Sequence, residues 1–86
     1  MTQVYIIYKT DAQHSYNSRD IIGIASDEHE EIARITAIEI CEQQAEKEGN
    51  FITIEQLFNL NNYKQTQNYS GDGEFQFEAI ETNKLL

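Results

Sequence analysis

The side chains best suited to chemistry lie together in one polar segment, 10–20 (TDAQHSYNSRD). Within it, Asp11, His14 and Ser15 are the three residue types of a hydrolytic triad. A triad needs these groups to converge from a rigid scaffold beside an oxyanion hole, and many such enzymes hold the serine in a Gly-x-Ser-x-Gly turn. Neighbouring loop residues rarely meet that requirement, and the sequence has no such turn. We therefore expect no enzymatic activity, and His14 acting as a general base is the weakest of our hypotheses.

Two other interpretations of segment 10–20 stay open. Its Asp and Ser side chains suit turn hydrogen bonds and Arg19 suits an ion pair with a nearby carboxylate, which would make the segment structural. Long loops on small scaffolds also often carry recognition sites. A ligand site would combine this segment with 63–70, so that Arg19 and Lys64 hold an anionic group such as a nucleotide phosphate. The residues of that site would be Asp11, His14, Ser15, Tyr16, Arg19 and Lys64.

The sequence offers no metal or cofactor site. Its 2 histidines, His14 and His29, do not have the i, i+4 spacing that places two ligands on one face of a helix. The single cysteine, Cys41, excludes a multi-thiolate zinc site and an internal disulfide. Gly71 and Gly73 precede a strand, whereas a phosphate loop requires the N-terminus of a helix. We expect neither a cofactor nor a bound metal.

Acidic residues are the strongest signal in the composition. The chain has 15 Asp and Glu against 6 Lys and Arg, which gives a formal net charge of −9. Segment 27–48 alone contains eight acids and two bases. Helical spacing places several of these acids on one side of a helix, around an isoleucine, and we call this set the acidic stripe. The acidic stripe consists of Glu28, Glu31, Ile35, Glu39, Glu42 and Glu46.

The acidic stripe has two interpretations. A row of charges is often simply a solvated face that keeps a small protein soluble. Adjacent carboxylates in the row also rise by about 4.5–6 Å along the helix, which is roughly the phosphate spacing of a nucleic-acid strand. The stripe would therefore fit a groove lined by Lys and Arg, with Ile35 as an apolar anchor. Acids near the C-terminal end of the helix, Glu42 and Glu46 among them, cost about 0.3–1 kcal/mol each against the helix dipole.

Charge and composition exclude several classes of protein. A chain this acidic does not bind nucleic acid through its phosphates or dock on anionic membranes, because both need basic patches. No segment approaches the roughly 18 apolar residues of a membrane span, and the N-terminus lacks the basic start of a signal peptide. A single cysteine suits a reducing compartment, so we expect a cytoplasmic protein.

Three segments have the composition of β-strands. Segment 3–9 (QVYIIYK) is β-branched and aromatic, and segment 21–25 (IIGIA) is a short apolar run. These two strands would form a hairpin with a long connection. Segment 75–81 (FQFEAIE) alternates apolar and polar residues, which is typical of a strand with one solvated face.

Two helices are predicted between the second and third strands. Asp27 with Glu30 has the spacing of a capping box, so Ser26 or Asp27 would cap a first helix that runs to about Glu48. Gly49 and Asn50 would then end it, since both accept the left-handed conformation. A second capping box, Thr53 with Gln56, predicts a short helix that ends near 61–62.

The element order β-β-α-α-β predicts an α+β fold in a single domain, 1–86. A right-handed crossover places the first strand in the middle of a three-stranded antiparallel sheet, in the order 2-1-3. With both helices on one face of the sheet, the fold is a two-layer sandwich. We expect Tyr5 and Ile7 on the open face, where they would offer a surface for a homodimer; Ile35 would offer another.

The segment TDAQHSYNSRDIIGIAS, the following helix, LFNLNNYKQTQ and the last strand resemble a family of small uncharacterised proteins of gut bacteria and their phages. The shared feature is a Thr-Asp-Ala-x-His-Ser-Tyr-x-Ser-Arg loop after the first strand. The resemblance implies a common structural or binding site that includes the loop and segment 64–67. A phage context would favour an inhibitor of host defence. The resemblance implies no catalytic role.

We therefore expect a small acidic cytosolic binding protein. Its partner would be a basic protein surface, such as the nucleic-acid-binding groove of a host-defence protein or nuclease, which the acidic stripe would occupy. The alternative is a protein that binds or sequesters a nucleotide-like small ligand through segments 10–20 and 63–70.

Overall fold

The computed structural model describes residues 2–11, 19–69 and 73–81. It contains five elements, which we number in chain order. They are β1 (Gln3–Thr10), β2 (Asp20–Asp27), α1 (Glu30–Lys47), α2 (Ile54–Tyr63) and β3 (Glu74–Glu81).

The three strands form one antiparallel sheet in the order β2-β1-β3, with β1 in the middle. This confirms the predicted α+β fold and its strand order. Both helices lie on one face of the sheet. The chain after α2 also follows the outer edge of β3: the Thr66 N–H donates to the Phe75 carbonyl at 2.9 Å, and the Phe77 N–H donates to the Lys64 carbonyl at 2.9 Å. Residues 64–66 therefore cover part of an edge that would otherwise be unpaired.

Tyr5 and Ile7 face the helices, so their predicted place on the open face is wrong. They are 1% and 0% exposed and belong to the core. Their neighbours in β2 decide the face, because Tyr5 lies opposite Ala25 and Ile7 lies opposite Gly23. These small residues let α1 approach: a Cβ on Gly23 would lie 2.9 Å from Cγ2 of Ile40. β1 is apolar on both sides, so its own sequence does not indicate which face packs against the helices.

A β-bulge separates the two halves of the β1–β2 pair. Ile7 lies opposite Gly23, but the next residue, Tyr8, lies opposite Ile21. Ile22 is the extra residue and packs partly against the core. The bulge therefore keeps Ile21 on the open face, across from Tyr8.

Helix α1 starts later than the capping-box spacing predicts. Asp27 belongs to β2, where it lies opposite Gln3, and the N-cap is His29, which makes no side-chain cap hydrogen bond. The Asp27 carboxylate instead accepts from the His29 backbone N–H at 2.9 Å. Pairing with β1 thus takes precedence over a local cap. The predicted end of the helix is confirmed, since Gly49 follows the C-cap with a positive φ of 77°.

Helix α2 starts as predicted. The Thr53 hydroxyl accepts from the Gln56 N–H at 3.2 Å, and the Gln56 side chain accepts from the Thr53 N–H at 3.0 Å. The helix runs slightly past the predicted end and stops at Lys64, whose φ of 60° is left-handed. Leu60 carries α2 into the core and is fully buried.

Candidate functional site

The acidic stripe lies on the solvent side of α1. Glu31, Glu39, Glu42 and Glu46 are exposed, and Ile35 among them is 52% exposed. Glu28 is exposed too, but it precedes the helix by two residues, so the helical spacing that predicted its place in the stripe does not apply to it.

Small residues on the other side of α1 pack against the sheet, so the acidic stripe faces the solvent. Ala33, Ala37, Cys41 and Ala45 recur at helical spacing and are all 0% exposed. They bring the helix axis close to the sheet, and the carboxylates on the far side then point into water. By helix geometry, Glu39 and Glu46 lie about 10 Å apart along the axis.

The cations of the described residues form no ion pair with the acidic stripe. Three ion pairs are present in the described ranges: Lys9 with Glu48 at 3.1 Å, Arg19 with Glu78 at 3.1 Å and Arg34 with Glu30 at 3.0 Å. None of these pairs involves a carboxylate of the stripe. Four like charges therefore remain along the solvent side of α1, and Glu28 adds a fifth just before the helix; together they set up a strongly negative potential.

For the alternative ligand site, the structure describes Asp11, Arg19 and Lys64, and it does not bring the two cations of this set together. His14, Ser15 and Tyr16 lie outside the described residues. The Arg19 guanidinium lies 4.9 Å from the Tyr8 ring centroid and pairs with Glu78. The Lys64 Nζ lies 5.7 Å from the Tyr5 ring centroid. Tyr5 and Tyr8 are on opposite faces of β1, so these two cations do not converge on one anion.

A polar cluster that the sequence did not reveal closes one end of the core. The Lys9 Nζ lies 4.5 Å and 4.3 Å from the ring centroids of Tyr69 and Phe75, in addition to its ion pair with Glu48. Burial opposes ionisation of Glu48, but hydrogen bonds from Gln44, Lys9 and Tyr69 outweigh it and lower the pKa of this carboxyl. The sequence offered one indication of this cluster: by strand alternation, Lys9 shares the face of β1 that carries Tyr5 and Ile7. These contacts anchor the end of α1 to the sheet.

Two further groups at this end of the core, Tyr69 of the cluster and Cys41 of α1, stay protonated at neutral pH. Burial, together with the Glu48 carboxylate, raises the pKa of Tyr69 to about 12. Burial also raises the pKa of the Cys41 thiol to about 12. A protonated and fully buried thiol is a poor nucleophile, so Cys41 serves as a small apolar core residue.

A buried carboxylate holds the chain between α2 and β3. Glu74 is 5% exposed, and its side chain accepts from the Thr66 hydroxyl at 2.7 Å and from the Tyr69 N–H at 3.2 Å. The Phe75 N–H in turn donates to the Thr66 hydroxyl oxygen at 2.9 Å. These bonds fix segment 66–69, which sequence reasoning assigned only to a polar stretch.

Helix α2 and the chain just before it expose large apolar side chains that the sequence analysis did not use. Phe58 on α2 is 58% exposed. Phe51, Ile54 and Tyr63 are 74%, 87% and 64% exposed. The rings of Phe58 and Tyr63 contact each other edge to face, with centroids 6.4 Å apart.

Among the described residues, no group of three or more His, Cys, Asp or Glu side chains is arranged to hold a metal ion. None of the helices in the described part of the chain has the length and apolar character needed to cross a membrane. No protein-family model matches the chain, and neither a curated protein nor a solved structure is significantly similar to it.

Proposed function

We propose that the acidic stripe of α1 binds a basic protein surface, and that this surface is a groove that otherwise holds nucleic acid. The observation that carries the proposal is the row of exposed carboxylates that no cation of the described residues compensates. An uncompensated row of like charges costs stability, and a basic partner would recover that cost. Binding, not catalysis, is the proposed activity.

The geometry of a helix suits this role. Glu39, Glu42 and Glu46 project from consecutive turns of α1, at about 4.5 and 6 Å intervals along its axis. Lys and Arg side chains arranged to bind successive phosphates would meet these carboxylates at similar intervals. Ile35 supplies an apolar contact within the same row, and attraction between the opposite charges would speed association.

The proposed partner class is a nuclease or host-defence protein in the cytoplasm. This class follows from the complementarity of charge and from the phage context that the resemblance of the 10–19 loop implies. A buried, protonated Cys41 is compatible with a reducing compartment. By filling a nucleic-acid groove, the protein would act as a competitive inhibitor.

The double charge reversal Glu39→Lys with Glu42→Lys tests the proposal. The immobilised chain should retain cytoplasmic proteins from a host lysate at low salt and release them when duplex DNA or about 0.5 M salt is added, because both weaken contacts between charged surfaces. The double variant should retain none of these proteins. Quantitative mass spectrometry of the bound fractions is the measurement.

A matched control distinguishes the effect of the acidic stripe on binding from the effect of the net charge of the protein. Glu55→Lys changes the charge as much as Glu42→Lys does, but it lies on α2 and is exposed. Retention should survive Glu55→Lys and fall with Glu42→Lys. Equal retention by the wild type and the Glu39/Glu42 double variant would sink the proposal.

A further inference from the structure

The face of the sheet opposite the helices is mainly apolar, whereas a solvated face would be mainly polar. Each strand contributes to this open face, whose apolar residues are Val4, Ile6, Tyr8, Ile21, Ile24 and Ile80. The register also places three polar residues on it, namely Ser26, Gln76 and Glu78. Ile21 and Ile24 are each 63% exposed, and the other four apolar residues are half-buried. A strand that is apolar on both sides, as β1 is, is characteristic of a sheet with both faces covered.

We propose that the open face packs against the same face of a second copy, so that the protein forms a twofold-symmetric dimer. Two sheets then stack face to face, about 10 Å apart, with the helices of each copy on the outside. In such an interface each residue meets the same patch on its partner, so an apolar patch is automatically complementary to itself.

The distribution of charge selects this face for a second copy. Two molecules of net charge −9 repel each other, and they approach most easily through their least charged surfaces. On the open face the largely buried guanidinium of Arg19 and the exposed carboxylate of Glu78 neutralise each other in an ion pair of 3.1 Å. Contact through α1 would instead bring two acidic stripes together.

The free edge of β2 is a poorer contact for a second copy. Antiparallel pairing of two β2 strands over their full length would place Asp20 opposite Asp27 of the other copy at each end. Like charges that lie directly opposite destabilise strand pairing. The face of the sheet carries no such penalty.

The size of the open face predicts a weak dimer. Three strands spaced about 4.8 Å apart and eight residues long cover roughly 14 by 26 Å, or about 370 Å² in projection. Stable interfaces typically bury about 800 Å² on each partner. We therefore expect a dissociation constant in the micromolar range or above, and an equilibrium between monomer and dimer.

Sedimentation velocity over about 1–500 µM protein tests the dimer. The weight-average mass should rise with concentration from 10.0 kDa towards twice that value. Ile24→Lys should raise the dissociation constant at least about tenfold, since twofold symmetry places two charges in the interface. Ile54→Lys is the matched control: this residue is 87% exposed on α2, and its substitution should leave the equilibrium unchanged. Circular dichroism verifies that both variants are folded.

Salt separates the dimer from the proposed function. Added salt screens the repulsion between two acidic copies and should strengthen the dimer, whereas it should weaken binding to a basic partner. A monomer at every concentration would overturn the proposal. A dimer that Ile54→Lys disrupts and Ile24→Lys does not would overturn it as well.

Discussion

Three buried side chains make the fold sensitive to alkaline pH. Burial and the hydrogen bond to Glu30 raise the pKa of Tyr5 to about 12, and Tyr69 and Cys41 also reach about 12. In the unfolded chain these groups ionise near pH 10, 10 and 9. The unfolded state therefore loses protons first as the pH rises. Their contribution to stability is complete below about pH 9 and is lost between about pH 9 and 12.

We expect the free energy of unfolding to fall steeply above pH 9, with about 1–2 kcal/mol of the loss arising from each tyrosine. Tyr69→Phe should be less stable at pH 7, because it loses the hydrogen bond to Glu48, and it should show a smaller decrease between pH 9 and 11. Urea titrations at a series of pH values measure both effects. Tyr63→Phe, at a position 64% exposed, is the control and should follow the wild-type curve. An unchanged alkaline slope in Tyr69→Phe would contradict the assignment.

At the scale of elements, local sequence patterns predicted the bounds of a helix or strand correctly only where no tertiary contact competed with them. The Thr53–Gln56 capping box and the alternation in β3 predicted their elements because each signal is complete within a few residues. Asp27 with Glu30 has the same capping-box spacing, but Asp27 pairs with Gln3 as part of β2 and does not cap α1. The choice between the two faces of β1 depended on Gly23 and Ala25 in another strand, which no local pattern reveals.

The two helices of the same fold should respond in opposite ways to changes at their N-caps. Thr53→Ala removes a formed capping box and should lower the free energy of unfolding by about 1 kcal/mol. His29→Asn supplies a side-chain acceptor where α1 has none, and should raise the free energy by about 0.5–1 kcal/mol. Chemical denaturation at pH 7 measures both. A stability unchanged by His29→Asn would mean that the backbone at the start of α1 does not admit a side-chain cap.

The acidic stripe became visible from the sequence because helical periodicity alone determines which residues share a face. Its outward orientation followed from the small residues on the opposite side, Ala33, Ala37 and Cys41. The partners of Lys9, Arg19 and Arg34 could not be predicted. Lys9 and Arg19 pair with carboxylates on distant segments, and several carboxylates lie within reach of Arg34 along α1. The position of the acidic stripe was thus predictable from the sequence. That none of these three cations pairs with its carboxylates was not predictable.

At the scale of the whole molecule, the net charge of −9 should act against the fold. We expect repulsion within the acidic stripe to exceed the attraction of the three ion pairs of the described residues, two of which are partly exposed and worth about 0–1 kcal/mol each. Raising the salt concentration from about 0.02 to 0.5 M should therefore raise the Tm, by about 4–8 °C for each 1 kcal/mol of repulsion that is screened. Glu39→Lys with Glu42→Lys should raise the Tm at low salt and reduce its dependence on salt, because Glu42 and Glu46 no longer repel at i, i+4. Scanning calorimetry measures both quantities. A Tm that falls with added salt would mean that the ion pairs outweigh the stripe, and the stripe would then carry no stored repulsion for a basic partner to relieve.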